Sequence, residues 1–410
     1  MIIKIIYYII FTVTILYGFY FLLTGVFVFF KSSKLKLKEG KKENYFSILI
    51  AARNEEKVIG NLLDSLNNLN YPKDKYEVVV IPNNCTDNTE KVSKEHGAKV
   101  LKCTVPTKSK GDVLKFTFEK MAHRKEIDAY IVFDADNVVH PEFLTEMDKA
   151  LVSGYRVAEG YRDAKNPSDN WLSGSYTLFY LFQNVFFNRA RMAMGGSSSI
   201  NGTGFMIKKE LIDEKGFETY TLTEDVEFTG QCALMGEKIA YVENAITYDE
   251  YPVRFDASWK QRKRWSAGII ECMKRYSPKL FWTFLKTGRI SCLDMSLVYL
   301  GPLMQLLGFI DLIMLIIFRI VNFELYDIFS YVFATGWLWV VISYLLGIIT
   351  ELFVLWFKGK KPHKLVSGII MFIIFIFTWI PINIICFVKK HTKWEEIKHD
   401  RNVKINEVVK

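Results

Sequence analysis

The chain has 410 residues, 50% of them hydrophobic and 15% aromatic, and a formal net charge of +9, so a large apolar core is available and the excess charge is basic. That charge suits anionic lipid and an anionic substrate, while nucleic acid is a poor second because no module for reading bases is visible. The six cysteines, Cys85, Cys103, Cys232, Cys272, Cys292 and Cys386, are scattered with no CxxC pair, which reads as reduced structural thiols and not as a disulfide framework or metal centre.

In chain order the first element is an uncharged apolar run from Ile5 to Phe30. It exceeds the roughly 20 residues that cross a bilayer as a helix and is too long for a signal-peptide core. Residues 1–30 are therefore expected to form a transmembrane helix. Lys31 to Lys42 follows with six lysines against one glutamate. The positive-inside rule puts this flank in the cytoplasm, the N-terminus outside, and residues 31–250 in the cytosol.

Between the apolar ends, short strands alternate with helical patterns, as in a parallel sheet covered by helices. Tyr45 to Ala51 reads as a first strand. Asn54 then opens a helix with Val58, Leu62, Leu63 and Leu66 at helical spacing. Further strands are expected at Glu77 to Ile81, Lys99 to Leu101 and Ala129 to Phe133, the last stopping at Asp134. Ligands of such sheets collect beyond the carboxyl ends of the strands. That rule singles out Ala52-Arg53-Asn54-Glu55, Asn83-Asn84 and Asp134-Ala135-Asp136.

After Tyr248 the pattern turns to mixed aromatic and basic residues, from Trp259 to Trp265 and on through Phe281, Trp282, Phe284 and Lys286. Residues 251–292 are therefore expected to hold helices lying in the membrane interface. Three more apolar runs complete a membrane region over residues 293–388: Met295 to Phe318, interrupted by Asp311; Ile328 to Thr350, running on to Phe357; and Leu365 to Val388.

Several groups carry chemistry. Asp134 and Asp136, at i and i+2 on a strand end, are hard oxygen donors suited to Mg²⁺ or Mn²⁺, which would neutralise a diphosphate; alone they are an ordinary acidic turn. Thr223-Glu224-Asp225 opens a helical stretch, where acids complement the helix dipole, yet Asp225 can also take a proton from an attacking hydroxyl, with Glu224 beside it. In Gln261-Arg262-Lys263-Arg264-Trp265, Arg264 can pair with a departing diphosphate and Trp265 offers a flat face to a sugar ring; alone the stretch is a basic interfacial helix. Lys108 and Lys110 could approach phosphate, a surface loop being the plainer reading.

Read together, Asp134-Ala135-Asp136, Asn201-Gly202-Thr203-Gly204, Thr223-Glu224-Asp225 and Gln261-x-x-Arg264-Trp265, in this order ahead of membrane helices, resemble the processive family-2 glycosyltransferases. Cellulose synthase, hyaluronan synthase and poly-N-acetylglucosamine synthase belong to that group. The resemblance covers about Ser47 to Gly268 with the flanking spans. It implies an α/β, Rossmann-like GT-A domain in the cytosol joined to transmembrane helices, a UDP-sugar donor, inversion at the anomeric carbon and a β-linked product. By matching position it implies Ala52, Arg53 and Glu55 around the uridine, with Asn83 also on the donor; Lys110, read from the residues alone, is a further donor-binding candidate. Asp134 and Asp136 would serve nucleotide and metal. Asn201, Gly202 and Thr203 would line the acceptor site, Asp225 would be the base, and Gln261, Arg264 and Trp265 would bind pyrophosphate and the acceptor end.

One position departs from the pattern: many relatives carry aspartate where this chain has Asn83. An asparagine oxygen still accepts from the uracil N–H, though the negative charge is lost. The favoured expectation is a hexosyltransferase of the cell membrane, multi-pass, using UDP-glucose to build a cellulose-like or mixed-linkage β-glucan coupled to its secretion. A growing glycan and membrane lipids are then partners, and the polymer reading admits accessory secretion or modification subunits. A poly-N-acetylglucosamine or hyaluronan-type product, or a single transfer to a lipid acceptor, is the alternative. A transporter or an inactive assembly subunit is disfavoured because Asp311 is the only acid read well inside an apolar run.

Topology raises a conflict. One N-terminal and three C-terminal spans would put residues 389–410 outside, although this tail is basic and Trp394 to His399 looks like the cytoplasmic tails of relatives. A cytosolic tail is favoured, with either Leu293 to Met304, broken at Gly301-Pro302, misread or one apolar run not crossing.

Overall fold

The structure is a computed structural model that describes residues 2–30, 37–320, 336–389 and 403–408. Parts of the expected run from Ile328, the lysines before residue 37 and the Trp394 to His399 tail segment lie outside the described residues.

Helix α1 (Ile2–Val26) is followed by the sheet domain. Its elements are β1 (Phe46–Ala52), α2 (Ile59–Asn67), β2 (Tyr76–Pro82), α3 (Thr89–Glu95), β3 (Lys99–Val100), α4 (Lys110–Met121), β4 (Ala129–Asp134), β5 (Val138–Val139), α5 (Phe143–Val152) and β6 (Val157–Ala164). Then come α6 (Trp171–Phe182), continued by a π-helical turn into α7 (Ala190–Ala193), and β7 (Phe205–Lys208), α8 (Lys209–Lys215), α9 (Glu224–Met235) and β8 (Ile239–Asp249). The chain goes on through α10 (Phe255–Thr287), α11 (Ile290–Tyr299) and α12 (Gly301–Ile320) to helix Gly336–Phe357 and the segment Val366–Val388.

Strand order in the eight-stranded sheet is β3-β2-β1-β4-β7-β6-β8-β5. The β1, β2 and β4 strands run parallel, with Ala51 level with both Ile81 and Asp134. Their apolar runs are buried on both faces, as a helix-covered parallel sheet requires. Two clusters flank the sheet, one with Ile50, Leu62 and Phe133, the other with Leu49, Leu114 and Val132. The sheet is mixed, not purely parallel: β7 runs antiparallel to β4 and β6. The expected fold class therefore stands as a GT-A-like mixed α/β sheet with flanking apolar helices.

Local boundaries differ from expectation at two places that matter. The helix expected from Asn54 starts at Ile59. Asn54 sits at φ +58° and its Oδ1 accepts the Thr86 N–H at 2.8 Å, so the side chain holds a turn instead of capping a helix. The apolar run from Met295 is divided between α11 and α12 at Leu300, just before Gly301-Pro302. Among the described residues three helices are long and apolar enough to cross a membrane: Ile2–Phe29, Gly301–Phe318 and Val366–Val388. Asp311 is also not the only acid in such a stretch, because Glu351 lies buried in Gly336–Phe357.

Candidate active site

Because β1, β2 and β4 are parallel and in register, their carboxyl ends open on one edge of the sheet. A cleft there contains about 1030 Å³ of empty space, including its solvent mouth. Ala52, Arg53 and Glu55 after β1, Asn83 after β2, Asp134 and Asp136 after β4, Lys110 at the start of α4, and Gln261 and Arg264 on α10 all line it. The structure thus gathers nine of the singled-out residues from five separate elements.

Lys110 is the hub. A capping box between Ser109 and Asp112 fixes the first turn of α4. From that turn Lys110 Nζ forms a salt bridge to Asp134 and donates to the Gly202 carbonyl at 2.7 Å. Burial favours a neutral amine, but Asp134 and Glu224 outweigh it and hold the Lys110 pKa above its ordinary value. Burial likewise pushes the Asp134 carboxyl up, and Lys110, with Arg162 and Arg264, brings it below the usual range. The lysine is therefore built into the site and is not part of a surface loop.

The antiparallel β7 explains why a distant segment meets this edge: its amino end abuts the carboxyl end of β4, with the Gly204 N–H donating to Val132 O at 2.8 Å. Asn201, Gly202 and Thr203 are carried in with it. Thr203 Oγ1 accepts the Asp134 N–H at 3.0 Å. Gly202 is at φ +88°, and a Cβ built there would lie 3.1 Å from Asp225 Oδ2. Only glycine meets both demands.

Glu224, buried, and Asp225, half-buried, stand in the first turn of α9. They do not line the cleft but adjoin it through Lys110 and Gly202. Burial, and then the Asp225 charge, push the Glu224 pKa up to about 7. Burial also raises Asp225, against lowering by the Val226 N–H, Arg264 and Lys110. Two neighbouring carboxyls whose pKa values are both raised titrate as a pair and not as independent groups. Trp265 is set apart: it packs edge-on to Tyr176 and Tyr180 and stacks on Trp379, ring centroids 6.3 Å apart.

The sequence reading missed Arg162, Asn137 and Asp249. Asp249, at the end of β8, accepts from Asn137 Nδ2 at 3.0 Å and from Arg162 Nε at 2.8 Å. Arg162 in turn donates to the Asn201 carbonyl at 2.7 Å and lies over the Tyr180 ring. Burial raises the Asp249 pKa to about 7, with Arg162 opposing. The signal was available: Thr247-Tyr248-Asp249 ends a strand as Val132-Phe133-Asp134 does, but β8 was not recognised as a strand.

Among the described residues no group of three or more His, Cys, Asp or Glu side chains is arranged to hold a metal. A Mg²⁺-type ion completed by substrate phosphates needs only one or two protein carboxylates. Asp134 and Asp136, both lining the cleft, meet that requirement in donor type and number.

Comparison with known proteins follows the same outline. The profile of the family described as "Glycosyltransferase like family 2" matches residues 43–268. Beta-monoglucosyldiacylglycerol synthase of Nostoc sp. is 28% identical over 235 residues, 55% of this chain and 48% of that protein. Poly-beta-1,6-N-acetyl-D-glucosamine synthase of Staphylococcus epidermidis is 24% identical over 285 residues, 66% of each chain. The chain thus spans about half to two thirds of the curated relatives it matches. A mannosyltransferase from Pyrobaculum calidifontis, solved in complex with GDP-Man and Mn²⁺, has the same fold with a TM-score of 0.59 at 16% identity, covering 92% of this chain and 98% of that one.

Proposed function

The chain belongs to the glycosyltransferase-like family 2, nucleotide-sugar enzymes of the hexosyltransferase class, and from that premise we propose that it moves a sugar from a UDP donor, glucose being favoured, to a hydroxyl acceptor at the cytosolic face of a membrane. One observation carries the reading: a single cleft lined by the carboxylates Asp134 and Asp136 and the cations Lys110 and Arg264, with the Glu224–Asp225 pair adjoining it.

In this reading Ala52, Arg53 and Glu55 border the nucleoside. Asn83 donates through Nδ2 to Thr107 Oγ1 at 2.6 Å, which leaves its carbonyl oxygen to accept the uracil N–H. Asp136 and Asp134 would hold Mg²⁺ or Mn²⁺, which supplies charge to the diphosphate when bound. The acceptor hydroxyl attacks the anomeric carbon as its proton passes to Asp225, the bond from that carbon to the diphosphate oxygen breaks, and Arg264 and Lys110 meet the charge left on UDP. Attack opposite the leaving group inverts the centre and gives a β-linkage.

Two acceptors fit this chemistry. Trp265 stacks on Trp379 of the apolar Val366–Val388 segment, which favours an acceptor arriving along the bilayer, a lipid hydroxyl, as the name of the Nostoc relative indicates for that protein. Repeated transfer to a growing β-glucan is the second reading, favoured by the motif order and by the polymerising relative. Purified protein in lipid, given UDP-glucose, UDP-N-acetylglucosamine or GDP-mannose with Mg²⁺ or Mn²⁺, should consume UDP-glucose and yield a glycolipid. Long product cleaved by linkage-specific glycanases would select the polymer, and transfer from GDP-mannose alone would overturn the donor assignment.

A further inference from the structure

Val366–Val388 is 23 residues long with mean hydropathy 2.6, enough to cross a bilayer. As one straight helix at about 1.5 Å per residue it would carry its ends to opposite faces of an apolar layer roughly 30 Å thick, but it is built as two helices, Val366–Phe377 and Trp379–Val388, that meet at Thr378. Its packing is incompatible with that course. A buried stripe of Ile369, Phe375, Ile382 and Cys386, with Leu365 just before it, packs on α6 in its first half and on α10 and the start of α12 in its second, and an opposite stripe of Val366, Ile370, Phe377, Ile385 and Val388 is exposed.

The buried side meets α6 at its start and the cleft-lining helix α10 at its middle and end. Just before it, Lys358 and Lys360 form ion pairs with Glu243 on β8 and Asp163 on β6. At its start Gly368 lies directly on Gly174 of α6, where a Cβ on either would collide with the other's backbone. In its middle Arg262 Nη1 donates to the Phe375 carbonyl at 3.1 Å and to Thr378 Oγ1 at 2.5 Å, and Trp379 stacks on Trp265. Near its end Cys386 Sγ approaches the Lys263 carbonyl at 3.5 Å, and Asn383 Nδ2 donates to Gln305 Oε1 in the second turn of α12 at 2.6 Å. Arg262 and Lys263 sit between Gln261 and Arg264, which line the cleft. One water-filled cleft cannot stand on both sides of a membrane.

Charge agrees. Exposed Lys361 and Lys364 precede the segment and exposed Lys389 follows it, and cationic flanks at both ends belong on the cytosolic side. A fully buried guanidinium against its middle also suits the interface better than the bilayer centre.

We propose that Val366–Val388 does not cross the membrane but lies along the cytosolic leaflet as an interfacial segment, exposed stripe in the lipid and buried stripe on α6 and α10, leaving the chain beyond Lys389 in the cytosol. This inference holds whatever the donor or product. The test uses full-length protein carrying Cys85→Ser and Cys103→Ser, spin-labelled singly at Ile370→Cys or Ile385→Cys, in sealed vesicles of phosphatidylethanolamine and phosphatidylglycerol. A membrane-impermeant nickel chelate added on one side should relax both labels from the same side, at equal depth. Relaxation of the two labels from opposite sides overturns the proposal. A fluorescent protein fused after Lys410 gives a second readout that leaves the segment untouched: cleavage of the fusion by protease in inverted vesicles supports the inference, and cleavage in intact cells defeats it.

Discussion

Glu224 and Asp225 share one turn, and that arrangement sets two measurable properties. As the base of the proposed transfer, Asp225 must be ionised, so Asp225→Asn should keep UDP binding by calorimetry while the rate falls by about 10² to 10⁴-fold. A near-normal rate would move the role to Glu224. Asp225, raised by burial, should place the acid limb of the wild-type pH–rate profile above the ordinary carboxylate range, and Glu224→Gln should leave that limb in place, whereas a limb that moves in this variant would give the base role to Glu224. Stability follows the same sign. A carboxyl whose folded pKa lies above its unfolded value stabilises most below the unfolded value, and that contribution is lost as pH rises through about 7. The unliganded protein should therefore gain relative to Glu224→Gln on going from pH 8 to pH 5, by on the order of 1 to 3 kcal/mol. Denaturant titrations at the two pH values check this.

At the scale of elements, α6 and the Val366–Val388 segment meet with no side chain between them. A Cβ on Gly368 would stand 2.7 Å from the Gly174 carbonyl carbon, and one on Gly174 would stand 3.0 Å from the Gly368 Cα. Backbone cannot yield as a flexible side chain can, so Gly368→Ala should separate the helices and lower stability by roughly 1 to 3 kcal/mol. Thermal unfolding in detergent should show the loss, with exposed Ser367→Ala as a control near wild type. Since Arg262 and Trp379 also bridge this contact, the same variant should disturb the surroundings of Trp265, read as a change in tryptophan fluorescence. Unaltered unfolding in Gly368→Ala would show that the contact is looser than the backbone separation implies.

For the whole molecule, the cleft is assembled by a sheet that brings together Ala52 on β1 and Asp249 on β8, from distant parts of the chain, and its net electrostatics depends on what fills it. Asp134 and Asp136 both line the cleft, and Asp136 is the one to substitute because a change at Asp134 would also remove the anchor of Lys110. EDTA should abolish transfer, and Mg²⁺ or Mn²⁺ should restore it. Asp136→Asn should lose that rescue while its unfolding temperature stays at the wild-type value. Full activity of the variant in chelator would remove the metal from the mechanism.

Composition, apolar runs and strand-end acids are local properties, and they made much of this protein legible: the α/β class, the edge holding Ala52, Asn83 and Asp134, the helix opened at Glu224, and the apolar ends. Tertiary structure decided what depends on strand order and on neighbours remote in sequence. The reversed β7 brings Gly202 to Asp225, and the parallel pair β6 and β8 joins Arg162 to Asp249. Lys110 reads from the chain as a loop cation and becomes a buried hub only when Asp134 and Gly202 close on it. Hydropathy gives Val366–Val388 the same score whether it meets lipid on every side or protein on one. Its course is set by which residues touch its buried face, and those contacts come from segments about 100 to 200 residues away, which no reading of local pattern supplies.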